Sequence, residues 1–179
     1  MRILLYGGIA VIANVFFSPV FRVNAKTVNI LQDWNLYDKD REIQVSNYQS
    51  AYYSYIKFGM KTWNNYKRGV ITEDSAFTLA DCKIMDAIWE DDTYAIASSK
   101  GKITFNRKMM QNAGETKKYS VAIHELGHAL GIDHIPKGYA VDVMNPIANT
   151  KMVLSAIDKK AYDKAYGGAT YYSITYGTK

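Results

Sequence analysis

Apolar and aromatic residues recur at Tyr52, Tyr55, Ile56, Gly59 and Trp63, the spacing of one face of a helix. This predicts an amphipathic helix of about 20 residues, with Ser46 and Gln49 set as a capping box at its start. The tyrosine stripe reads as core and rim packing. A second helix is expected from near Thr116 to Leu130, buried through Ala122, Ile123, Leu126 and Leu130. A third runs from Ser155 to Ala165, with Ala156, Ile157, Ala161 and Tyr162 inward. Between the first two, the pattern shortens to the alternation of strands. Lys26–Trp34 reads as an opening strand, and Phe77–Ile88 as one long strand or a strand pair. Tyr94–Ser98 and Lys102–Asn106 read as two short strands joined by Ser99-Lys100-Gly101. The tyrosine-rich residues from Gly167 to Lys179 form either a tail or an added strand.

The start of the chain has a different pattern. Met1-Arg2 precedes an apolar run from Ile3 to Phe17, broken by Asn14, and Ser18-Pro19 ends it. Val23-Asn24-Ala25 offers small residues for cleavage. The run falls short of the roughly 20 residues that cross a bilayer. Residues 1–25 are therefore expected to be a signal peptide and 26–179 a single exported domain. The alternative is an uncleaved N-terminal anchor holding the domain at the cell surface.

Loss of Arg2 and Arg22 with the leader would lower the net charge from +5 to +3, which without an aromatic-interleaved basic patch gives no strong case for nucleic acid. The single cysteine, Cys82, forbids an internal disulfide and reads as a small buried hydrophobe. Glu90-Asp91-Asp92 is an acidic cluster in a loop: a possible site for Ca2+, which prefers oxygen ligands, or simply solvated.

The chemistry is concentrated in Ser120–His134, which contains all three histidines of the chain. They follow the pattern H-E-x-x-H-x-x-G-x-x-H. Residues four apart share one face of a helix, so His124 and His128 can hold one metal ion. Glu125, rotated about 100° from His124, cannot ligate between the imidazoles but can reach a water on the metal. Gly131 falls where the helix must stop, because glycine turns left-handed without penalty and can bring His134 back. Three neutral imidazoles and one open position describe a catalytic zinc site, whereas a structural site would use four protein ligands.

This motif, followed by Val143-Met144-Asn145-Pro146, resembles the metzincin metalloproteases, whose signature ends in a methionine turn. Leu130–His134, Leu154–Asp158 and the closing Ala165-Tyr166-Gly167 are most similar to the matrixin catalytic domain. Two positions depart from other forms. Ile135 stands where matrixins usually carry serine, and Pro146 stands where astacin-type enzymes carry a tyrosine. The resemblance implies an α/β fold: a twisted, mixed five-stranded sheet with two long helices, and an irregular lower part with a C-terminal helix. It implies Met144 as an apolar floor under the histidines. It also implies an extended peptide lying antiparallel to the outermost strand, here Tyr94–Ser98. The second, structural zinc of matrix metalloproteinases is not expected, since no histidine is left to hold it.

The function expected is that of a secreted, monomeric zinc endopeptidase acting on polypeptides. His124, His128 and His134 are the expected ligands, Glu125 the general base, and Gly131 and Met144 the supports. Asp133 is placed to orient an imidazole or to tie the loop down. Two other readings stand beside this one: an exported binding module that keeps zinc without catalysis, and a hydrolase of cell-wall peptides.

Overall fold

The computed structural model describes residues 24–136 and 142–178. Most of the expected leader, and the loop just after Pro136, lie outside them.

Five strands make the main sheet: β2 (Ile43–Asn47), β3 (Ile71–Glu73), β4 (Cys82–Ala87), β5 (Ala95–Ser98) and β6 (Lys102–Asn106). Their spatial order is β3-β2-β4-β6-β5. All neighbours run parallel except the β5–β6 pair, which is antiparallel and leaves β5 at the edge. Alternate positions Ile43 and Val45, Cys82 and Ile84, and Ile103 and Phe105 are fully buried, as the two-residue period of a half-covered sheet requires. Helices α1 (Tyr53–Tyr66) and α3 (Glu115–Ala129) pack on that face. Ile56, Met60 and Trp63 of α1 meet the fully buried Ala122, Ile123 and Leu126 of α3. Burying each large aliphatic side chain contributes about 1.5–3 kcal/mol. Trp63 keeps its indole N–H satisfied by donating to Ile123 O at 2.9 Å. A short α2 (Arg107–Asn112) links β6 to α3, and α4 (Ala156–Tyr166) closes the fold. This is the expected mixed α/β architecture.

Several local expectations change. Ser46 lies inside β2, paired with Lys83, and the Ser46/Gln49 capping box does not form. The start of α1 is held instead by Asp86 of β4, whose carboxylate accepts from Ser50 Oγ at 2.6 Å and Ala51 N at 2.9 Å. Ser50 Oγ in turn accepts from Tyr52 N at 3.0 Å. Helix α1 has 14 residues rather than about 20. Only Cys82–Ala87 of the Phe77–Ile88 stretch is strand, and Phe77 and Leu79 stand in solvent. The opening strand is β1 (Asn24–Asn29), which leaves the main sheet alone and pairs antiparallel with β7 (Ser173–Thr178). The tyrosine-rich end is thus an added strand. In α4 the capping box at Ser155 and Asp158 is present, with Ala161 and Tyr162 buried and Ala156 exposed.

Candidate metal centre and cleft

Helix α3 brings His124, Glu125 and His128 to the open edge of the sheet. Gly131, at φ 89°, ends the helix in the left-handed region open to glycine. Its N–H donates to His128 O at 2.9 Å, and Ile132 N donates to Gly127 O at 3.0 Å. The chain then runs beside the N-terminal segment. Leu31 and Ile132 form an antiparallel bridge, Gln32 N donates to Gly131 O at 2.9 Å, and Asp133 N donates to Ile30 O at 2.9 Å. Asp133 ties the loop down by accepting from His134 N at 2.7 Å.

The turn brings the three imidazoles together. Nε2 of His124 and of His134 lie 3.2 Å apart, and one nitrogen from each of the three rings lies within 4.8 Å of the others. Among the described residues this is the one group of three or more His, Cys, Asp or Glu side chains able to share a metal ion. Backbone carbonyls take the outer nitrogens. His124 Nδ1 is 2.8 Å from Val143 O, and His128 Nδ1 is 2.8 Å from Ile132 O. A proton on Nδ1 leaves Nε2 free as a ligand. Burial lowers His124 to about 3 and His128 to about 4, helped by repulsion between the rings, and it lowers His134 as well. Neutral imidazole, the ligating form, is therefore favoured. This donor set fits zinc.

Glu125 is 5% exposed, and its Oε2 has no hydrogen-bond partner. Burial pushes its carboxyl up to about 8, opposed in part by the Ala97 backbone. A buried carboxyl with an oxygen left over beside three imidazoles fits a site completed by another group.

Met144 is fully buried, and its carbonyl accepts from Ile135 N at 2.8 Å. The turn that carries it is pinned by a residue whose role sequence reasoning missed. Asp158 of α4 is fully buried and accepts from Val143 N (3.0 Å), Met144 N (3.2 Å) and Ser155 N (2.8 Å). Gln32 was also missed. Its Nε2 stands 2.8 Å from His128 Nδ1, across 96 positions of sequence. The capping spacing of Ser155 and Asp158 could have flagged the first; no local signal marks the second.

A cavity of about 830 Å3 opens from the histidines, bounded by β5, α3 and the segment from Val143 to Asn149. Asn106 N donates to Tyr94 O at 2.8 Å. Because bonded and non-bonded pairs alternate in an antiparallel ladder, Ile96 turns its backbone groups to β6, while Ala95 and Ala97 turn theirs outward. Elsewhere, Glu90 pairs with Lys108, and Asp91 accepts from Trp89 Nε1 and Thr93 N, so these two carboxylates face different partners. Cys82 is fully buried, and burial pushes its thiol up to about 12.

The family model described as Matrixin matches residues 31–167. The fold is similar to a crystal structure of myroilysin at 15% identity, covering 70% of this chain and 82% of that one, with a TM-score of 0.51. A second myroilysin structure shares 14% identity over 78% of this chain and 98% of its own, with a TM-score of 0.55. No curated protein matches the sequence.

Proposed function

The chain belongs to the matrixin family of zinc metalloendopeptidases, and from that premise we propose that His124, His128 and His134 hold its zinc while Glu125 is the general base. When bound, zinc would polarise the scissile carbonyl and make water more acidic. Glu125 takes the proton of the attacking water and passes it to the leaving amine. Burial raises this carboxyl, and the charge of a bound zinc would lower it again, so that it can take the proton and still hold it long enough to deliver it. The carbonyls of Val143 and Ile132 orient two of the imidazoles from behind. Met144 and Gly131 are supports, one beneath the rings and one at the turn that brings His134 back.

The substrate is an extended polypeptide lying antiparallel to β5. The outward groups of Ala95 complete hydrogen bonds with it, as an exposed edge strand allows. Ala97 lies beside Glu125 and marks the position of the reacting bond along the strand. The enzyme acts outside the cell as a monomer, after removal of residues 1–25. No helix among the described residues is long and apolar enough to cross a membrane.

The observation that carries this reading is the unpartnered Oε2 of Glu125, buried beside three converging imidazoles at the wall of an open cleft. Its test is incubation of purified protein with casein and with peptidoglycan, with and without a zinc chelator. Chelator-sensitive cleavage of casein is expected. Intact casein would point to a binding module, and digestion of peptidoglycan alone to a cell-wall hydrolase.

A further inference from the structure

Two short contacts meet at one nitrogen. His128 Nδ1 lies 2.8 Å from Ile132 O and 2.8 Å from Gln32 Nε2. A ring N–H aimed at a carbonyl cannot also accept from an amide N–H. If Nδ1 carries no proton, it accepts from Gln32, but then two lone pairs face each other across 2.8 Å at Ile132 O. If Nδ1 carries the proton, Ile132 O is satisfied and the Gln32 amide faces it with the wrong end. A half-turn of that amide about its last bond removes the conflict at Nδ1, and gives up only the longer bond that Gln32 Nε2 donates to Ile132 O at 3.4 Å. The nitrogen and oxygen of a carboxamide are nearly indistinguishable in size, so the exchange needs no space.

Metal on Nε2 of His128 decides between the two, because it requires the proton on Nδ1. Building on the zinc site proposed above, we infer that Gln32 is a positioning residue whose Oε1 accepts, together with Ile132 O, from His128 Nδ1–H when metal is bound. The backbone places it for this. Gln32 N donates to Gly131 O, and the same two segments are tied again by the Leu31–Ile132 bridge and the Asp133-to-Ile30 bond. One crossing of two segments therefore fixes the loop that delivers His134 and the amide that orients His128. Gln32 also lines the cleft, so the contact is made at the wall of the site rather than in the remote core. A second acceptor behind an imidazole holds its tautomer and raises its basicity toward metal.

The test uses the full chain and compares zinc dissociation constants, by competition with a chromophoric chelator, for wild type and three variants. Gln32→Met offers only a weak thioether acceptor and Gln32→Lys none, and each should weaken zinc binding about tenfold or more. Gln32→Glu, an acceptor, should bind zinc as tightly as wild type or more so. The visible spectrum of the cobalt-substituted protein should follow the same order. Unfolding midpoints of the metal-free proteins identify variants that fold, and the uncharged Met variant separates loss of the acceptor from the charge repulsion that Lys adds. Wild-type affinity in a folded Met or Lys variant would overturn the assignment, as would a Glu variant as weak as those two. Zinc content and casein cleavage of the wild type test the proposed function separately, and neither changes if the assignment of Gln32 alone is wrong.

Discussion

Gly127 of α3 and Met144 pack directly against each other. A Cβ built on Gly127 would run into Met144 Sδ, and would stand 3.0 Å from Met144 Cε and 3.1 Å from Trp63 Cζ2. The glycine between Glu125 and His128 is thus what lets the methionine turn lie directly against α3. Trp63 is fully buried on the same side, so Met144 has little room to retreat. Gly127→Ala should destabilise the fold by about 1–3 kcal/mol, the usual cost of overpacking, and should weaken zinc binding by shifting the turn. Chemical denaturation with zinc titration measures both. An unchanged midpoint would show that the floor yields without cost.

Glu125→Ala separates binding from chemistry. Glu125 is proposed as a base and not a ligand, so zinc content should stay at the wild-type level while turnover falls by about 10²–10⁴-fold. Elemental analysis and a fluorogenic peptide assay on the same sample check this. Turnover near wild type would remove Glu125 from the role assigned to it.

The edge-strand proposal gains direction from the ladder alternation. Ala95→Pro removes an outward N–H and should raise KM for a long peptide by about fivefold, the worth of one ordinary hydrogen bond, with the sheet intact. Ile96→Pro removes a donor that faces β6, so its thermal midpoint should fall instead. If both folded variants cleave long peptides with wild-type KM, the peptide does not lie on β5.

Asp142, next to the residue whose carbonyl meets His124, sets a pH dependence of its own. It is 1% exposed, and neither carboxylate oxygen has a hydrogen-bond partner. Burial raises its pKa above the ordinary aspartate value, nearby Ser155 offsets part of this, and the charge of Asp158 adds to it. The folded state then holds a proton that the unfolded state releases, so stability is lost as pH rises through the folded pKa. Asp142→Asn should therefore be more stable than wild type at pH 8, by about 1 kcal/mol, and the gap should close toward pH 4. Denaturant midpoints at the two pH values measure it. A gap that widens on acidification would reverse the assignment.

The parts of this molecule that were legible in the sequence are those specified within one or two turns of chain. His124, Glu125, His128, Gly131 and His134 declare their site because helix spacing and a glycine stop are local. Ser155 and Asp158 declare a helix start in the same way. Contacts from far along the chain stayed hidden. Asp86 holds the start of α1 from 36 positions away and displaces the Ser46/Gln49 box suggested by spacing. The three residues of β3 are too few to show a period, and they form a strand only because β2 lies beside them. β1 meets β7 across nearly the whole described chain, a pairing no alternation within either strand could announce. Gln32 reaches His128 for the same kind of reason.

The central claim is that one zinc is held by His124, His128 and His134 with a fourth position open to solvent. X-ray absorption at the zinc edge of the loaded protein tests it directly. The account predicts three imidazole nitrogens and one light oxygen or nitrogen neighbour, at about 2.0–2.1 Å, with outer-ring scattering from three rings and less from His134→Ala. A sulfur neighbour at about 2.3 Å, or a spectrum that His134→Ala leaves unchanged, would contradict it.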